Sequence, residues 1–299
     1  NYGEFYCNAD DINPASGLWG TDPITSDYYR FVCEVDNVED YGCTDELAQN
    51  YNPEANWNDG SCTYPDNGDY SLSFDGEDDL VDIPAGYFGP TTSNDFSISM
   101  WVYVPDNFYE DGLHGFLAGQ YDHNTAGETT SNANFYLSLD YTVGYRITGN
   151  GIDVLDFGTP IPGTWQFISV TVNSSGYVNA YVNGQLVEVG NISLSEIPSS
   201  NILSFGYLNT QIDNNGFLEG KLDELSIWRA NLTQDQIESY MVEPPIGNEE
   251  GLEGYWSFNA GTGTTLYDHS GNGNHGTIHG ATWVENIYGC TDELACNYD

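Results

Sequence analysis

Positive charge is what this chain most lacks. Four Lys and Arg stand against 46 Asp and Glu, a formal net charge of −42. Binding to nucleic acid needs a cationic footprint, so that class of partner is excluded. Docking on an anionic membrane surface is excluded by the same repulsion. No apolar run approaches the roughly 18 residues of a membrane span, so no direct insertion is expected. No two cysteines stand as Cys-x-x-Cys, which sets aside the usual redox and zinc motifs. His-Glu-x-x-His and Gly-x-Ser-x-Gly are missing too. His275 and His279 are four apart, but their Gly-rich stretch reads as turns rather than helix. A non-catalytic protein is expected.

Disorder is set aside by what is present. Twenty-three Tyr, 13 Phe and 7 Trp can fill a core, and 34 Gly suit many tight turns. A charge of −42 opposes compaction unless cations screen or bind it, which points to a salt-rich or calcium-rich extracellular setting. The six cysteines lie at 7, 33, 43, 62, 290 and 296, outside the long middle of the chain. Disulfides stapling small terminal units fit that distribution and imply an oxidising compartment. A Cys7–Cys33 bridge is the natural staple of residues 1–40, which are too few to bury much core. Cys43 and Cys62 bracket the next unit.

Residues 41–48 read YGCTDELA, and residues 288–295 read YGCTDELA again. Such identity implies an array of alternating modules in a longer protein. Four regions follow: 1–40, the end of a preceding module; 41–66, a cysteine unit; 67–286, one large β domain; and 287–299, the start of the next unit. Cys290 and Cys296 are then expected to pair with cysteines further on.

The middle reads as strands. Phe96, Ile98, Met100, Val102 and Val104 fall on one face, with Trp101 and Tyr103 on the other. Trp165 to Val172 forms another strand, and Asn183-Gly184 supplies the left-handed turn of a two-residue hairpin. One short helix is expected before Pro244-Pro245, with Thr233 as N-cap, Gln236 closing a capping box and Leu232 stapled onto Ile237. A strand such as Tyr255-Trp256-Ser257-Phe258 cannot stay unpaired in water, so residues 251–285 are expected to fold back and complete the sandwich.

The strings LSFDG (72–76), FSISMWV (96–102), WQFISVTV (165–172), AYVNGQLV (180–187) and GKLDELSIW (220–228), with the helix after them, resemble the laminin-G-like, or concanavalin A-like, superfamily. The resemblance implies an all-β fold, two antiparallel sheets in a jelly roll. The GCTD…NYNP…DGSC pattern of the cysteine unit resembles repeats in large surface proteins of marine bacteria of the Bacteroidota type. The glucanases of the superfamily carry Glu-x-Asp-x-x-Glu on one strand; the one such string here, Glu34-Val35-Asp36-Asn37-Val38-Glu39, falls in residues 1–40, outside the strings that carry the resemblance.

Calcium takes six to eight hard oxygens, and three places offer them. In relatives, positions matching Asp75 and Asp223 lie near a structural calcium. Regular alternation would put Asp223 on the face of Leu225 and Ile227, pointing inward, where it needs a cation or backbone amides. The second place is Asn52, Glu54, Asn56, Asn58 and Asp59, readable as a truncated calcium loop or as an Asx turn. The third is Asp268, Ser270 and Asn272, readable as a site or as a Gly/Asn-rich turn. The lectins of the superfamily hold sugars at loop ends, which would place a rim at Tyr121, Asp122, Asn124 and Asn132 with Asn209 and Asp213. The expectation is a calcium-stabilised piece of a secreted adhesin or extracellular filament. Its expected partners are glycans or a cell surface, neighbouring modules and other copies. A carbohydrate-binding accessory domain of a polysaccharide-degrading enzyme and a purely structural spacer are the alternatives.

Overall fold

The computed structural model describes residues 40–84, 88–121, 133–149, 153–194, 202–207 and 216–287. Cys7, Cys33, Cys290 and Cys296 lie outside them. A two-stranded pairing opens the described chain, β1 (Tyr41–Gly42) with β2 (Trp57–Asn58). Then come β3 (Tyr70–Asp75), β4 (Leu80–Ile83), β5 (Phe96–Tyr103), β6 (His114–Tyr121), β7 (Ala133–Asp140), β8 (Gly144–Gly149) and β9 (Asp153–Phe157). The hairpin strands β10 (Trp165–Val172), β11 (Tyr177–Val182) and β12 (Gln185–Asn191) lead to β13 (Ile202–Phe205) and the long β14 (Glu219–Trp228). After α1 (Gln234–Val242) the chain adds β15 (Leu252–Trp256), β16 (Thr265–Leu266), β17 (Gly276–His279) and β18 (Thr282–Glu285).

These strands make two antiparallel sheets packed face to face. One runs β12-β11-β10-β5-β14-β3-β18, with β15 also on β14; the other runs β16-β17-β4-β13-β6-β7-β8-β9. The alternation of β5 explains the layering. Ile98, Met100 and Val102 are fully buried in the core between the sheets, while Trp101 points outward into a second apolar cluster. That cluster joins Phe167, Tyr181, Trp228, Leu252 and Tyr255 to Leu232 and Ile237, so α1 seals the outer face of the first sheet. Thr233 caps α1 with a complete capping box on Gln236. Asn183 and Gly184 both hold positive φ, as a type I′ hairpin turn requires. No helix among the described residues is long and apolar enough to cross a membrane.

Residues 252–285 supply strands to both sheets: β15 pairs with β14, β17 with β4 and β18 with β3. Trp256 anchors the segment. Its ring lies between the sheets against Phe88 and Phe205, at 6.3 and 5.1 Å, and its Nε1–H donates to the Asn274 carbonyl at 2.9 Å. The ring also covers Gly254 so closely that a Cβ there would sit 2.3 Å from it. Trp256→Ala is expected to cost about 3–5 kcal/mol, the range for a buried Trp cavity. Urea unfolding would measure it, and a loss below about 1 kcal/mol would show that the returning segment is not integral to the core.

Candidate functional site

The turn between β3 and β4 gathers carboxylates. Asp75, Asp78 and Asp79 each bring an oxygen to within 4.8 Å of the others. Two bonds inside the turn preorganise it: Asp79 Oδ2 accepts from the Asp75 amide at 2.9 Å, and Asp75 Oδ1 accepts from the Glu77 amide at 2.8 Å. Gly76 turns the chain at φ 82°. Asp79 is buried, and burial pushes its carboxyl above the ordinary range, with the negative charges of Asp75 and Asp78 adding to the rise. This all-oxygen set can hold a hard metal ion.

Asp223 is not part of it. Asp75 pairs with Glu219 at one end of β14, whereas Asp223 lies opposite Trp101. Trp101 faces the outer cluster, so Asp223 faces outward as well. The inward orientation that alternation implies fails because β14 bulges between Asp223 and Ser226, with Glu224 in the left-handed region at φ 48°. The extra residue returns Leu225 to the core and leaves Asp223 behind. Asp223 accepts from the Glu224 amide at 2.8 Å and from Asn286 Nδ2 at 3.0 Å. Glu224 accepts from the Tyr255 hydroxyl. Burial drives the Asp223 carboxyl up to about 9, helped by the charges of Glu224 and Asp69. Burial likewise lifts Glu224 to about 7, although the Tyr255 bond works against the rise.

The other two acidic runs are occupied by backbone. Asn52 Oδ1 accepts from the Glu54 amide, Asn58 Oδ1 from Gly60 and Asp59 Oδ1 from Ser61, at 3.0 to 3.1 Å. These are Asx turns. Asn56 donates its backbone amide to the Asp40 carbonyl. Asp268 is fully buried and accepts four bonds, from the amides of Tyr255, Ser270 and Asn274 and from the Ser270 hydroxyl. Asn272 donates to the carbonyls of Leu252 and Glu253. Asp268, Ser270 and Asn272 therefore brace the β16–β17 loop. Of the rim residues, Tyr121 ends β6, and Asp122, Asn124, Asn132, Asn209 and Asp213 lie outside the described residues.

One constellation was invisible in the sequence. The Cys43–Cys62 disulfide staples the cysteine unit, whose Asp45 and Tyr64 seat on the β16–β17 loop. Asp45 Oδ2 takes the Tyr64 hydroxyl at 2.6 Å and lies 2.5 Å from His275 Nε2. His275 Nδ1 accepts the Asp268 amide at 2.9 Å, so its proton sits on Nε2 and is donated to Asp45. Tyr64 stacks on Tyr267 and meets His269 and His275 edge-on. Burial opposes the Asp45 charge, but the bonds from Tyr64, the Leu47 amide and His275 outweigh it and hold its carboxyl below the ordinary range.

Residues 75–238 match the laminin-G-type profile described as the concanavalin A-like lectin/glucanases superfamily. The chain belongs to this superfamily. Among solved structures, the concanavalin A-like chain is similar to a candidate carbohydrate-binding protein from Bacteroides ovatus ATCC 8483. The TM-score is 0.53 at 17% identity, over 75% of this chain and 61% of that one. It is also similar to a heptameric SAP-like pentraxin from Limulus polyphemus, with a TM-score of 0.50 at 15% identity, over 63% and 90% of the two chains. At these identities the likeness concerns the fold. The chain thus spans 61% of the length of the Bacteroides ovatus protein. No curated protein matches it in sequence.

The Asp223–Glu224 pair gives this concanavalin A-like domain a pH signature. Both carboxyls bind protons more tightly folded than unfolded, where 3.8 and 4.5 apply. Stability is therefore fully present below those values and falls as pH rises, through about 7 for Glu224 and toward about 9 for Asp223. In EDTA, the Tm at pH 5 is expected to exceed that at pH 8. Glu224→Gln keeps an acceptor for Tyr255 and should raise the pH 8 Tm, by about 2–4 °C for each kcal/mol relieved, while flattening the slope. A Tm that climbs from pH 5 to pH 8 would contradict this assignment.

Proposed function

We propose that the chain is a non-catalytic, carbohydrate-binding part of a secreted cell-surface adhesin, stabilised by calcium at Asp75, Asp78 and Asp79. The observation that carries the reading is the concanavalin A-like sandwich itself, whose similar structures include a candidate carbohydrate-binding protein. The sugar-facing rim is assigned to the loop ends at Tyr121, Asp122, Asn124, Asn132, Asn209 and Asp213. The recurrence of the cysteine-bearing string YGCTDELA, at 41–48 and 288–295 on either side of the sandwich, supports a repeated extracellular chain with neighbouring modules as partners.

One feature supports the absence of catalysis. Glycoside hydrolysis places two carboxyl groups across a cleft about 5–9.5 Å apart. The most perturbed carboxyls here, Asp223 and Glu224, are instead consecutive on the outer face and hold Asn286 and Tyr255. Calcium fits the β3–β4 turn by its donor set. Three carboxylates supply hard oxygens, and the ion would neutralise charge that burial makes costly at Asp79.

Extracellular calcium sites have dissociation constants of about 0.1–1 mM, so 10 mM calcium should add about 1–3 kcal/mol over EDTA. The gain should appear as a rise in Tm and should largely vanish in Asp75→Asn/Asp78→Asn. A glycan array read in both buffers tests the sugar reading. Unchanged Tm would sink the calcium assignment, and a folded chain that captures no glycan in either buffer would sink the carbohydrate assignment.

A further inference from the structure

The cysteine unit and the sandwich enclose a cleft of about 290 Å³ at their junction. Asn58 and Tyr64 form its wall on the cysteine unit. Ile246 and Asn248, from the turn after α1, face them, with His269 between. None of its lining residues belongs to the β3–β4 turn or to the residues assigned to the rim. The walls come from segments far apart in sequence, yet their spacing is fixed. The Cys43–Cys62 disulfide, the Asp45–His275 bond and the Tyr64–Tyr267 stack at 5.4 Å hold one wall to the loop under the other. Asn58 Nδ2 also reaches the Gly271 carbonyl at 3.5 Å.

The chemistry of the lining is unusual for this molecule. In a chain of net charge −42, the cleft is lined by no Asp, Glu, Lys or Arg. His269 is also neutral, because burial holds its pKa below the ordinary imidazole value. The nearest carboxylate to the Ile246–Asn248 turn, Glu249, is turned onto backbone: its two oxygens accept the amides of Ile246 and Gly247 at 2.8 and 3.0 Å. Those bonds fix the turn and leave Ile246 80% exposed at the mouth. Gly60 and Gly271 border the cleft with open space where a Cβ would stand, so no side chain of theirs narrows it.

The Asn248 amide, a neutral imidazole and one exposed aliphatic face do not attract a metal ion, a phosphate or a charged peptide. They match a ligand with many hydroxyls and an apolar ring face. The volume lies at the lower end of the roughly 300–1,000 Å³ of small-molecule sites, enough for one or two sugar rings. We infer that this junction cleft is a saccharide-binding site for an uncharged sugar, built from none of the residues assigned to the rim and existing only while the cysteine unit is docked on the sandwich.

The test is calorimetric titration of the full chain with neutral gluco-, manno-, galacto- and xylo-oligosaccharides, and with alginate and sulfated oligosaccharides as acidic counterparts. Asn248→Trp fills the cleft from an exposed position, and Ile246→Ser removes the aliphatic face at the mouth, where the side chain is 80% exposed. Each variant is expected to weaken binding of a neutral oligosaccharide by about tenfold or more with Tm unchanged. Neutral-sugar binding that survives both variants would overturn the junction site and leave the carbohydrate reading of the sandwich standing. Binding confined to acidic oligosaccharides would overturn the uncharged-sugar assignment. A folded chain that binds no saccharide would overturn the site and the proposed function together.

Discussion

The scarcity of cations governs how this protein handles its acids. With four Lys and Arg against 46 carboxylates, ion pairing cannot neutralise most of those that folding removes from water. Backbone amides, hydroxyls and neutral rings serve instead. Asp268 is buried with four such donors, Asp79 holds the Asp75 amide and Glu249 clamps two amides of one turn. Asp45 takes a phenol and an imidazole N–H. Each carboxylate satisfied this way also fixes a loop, so charge neutralisation and loop geometry are the same set of bonds. Asp223 and Glu224 are less well served, which is why pH acts there.

That coupling runs from the core to the module junction. Trp256 draws β15 into the sandwich, and its Nε1–H holds the Asn274 carbonyl in the β16–β17 loop. Asp268 braces the same loop through the Tyr255 amide on β15 and through Asn274. The loop then presents His275, Tyr267 and His269 to the cysteine unit. The docking surface is thus built by the returning segment, and loosening Trp256 would loosen the seat of Asp45 and Tyr64 as well.

Much of this fold was legible because the patterns that reveal it are local. The alternation of Phe96 to Val104, the Asn183-Gly184 turn and the Thr233 cap each need only a few neighbouring residues. The orientation of Asp223 was not legible: a bulge centred on Glu224 shifts the register by one residue, and nothing in KLDELS marks it. Asp75 was singled out as a candidate metal ligand, but the same limit hid its partners, since Asp78 and Asp79 belong to a turn rather than to the facing strand. His275 was read as a turn residue because its partner Asp45 lies 230 residues away. The YGCTD string was informative as a repeat, but its aspartate gave no sign of bridging a tyrosine and a histidine. Asn52, Asn58 and Asp59 offered calcium-like spacing, and their oxygens close Asx turns.

The charge that shapes the fold also shapes what the surface can recognise. An acidic polysaccharide approaching this protein meets a repulsive field that reaches about 8 Å at physiological salt and about 3 Å at 1 M before it is screened. An uncharged glycan feels none of it, and its binding depends on hydroxyl bonds and ring contacts that salt leaves almost untouched. A cleft stripped of charge on a surface of net charge −42 therefore discriminates by charge before any contact is made. As salt rises that repulsion fades, while the hydroxyl bonds and ring contacts of an uncharged glycan persist.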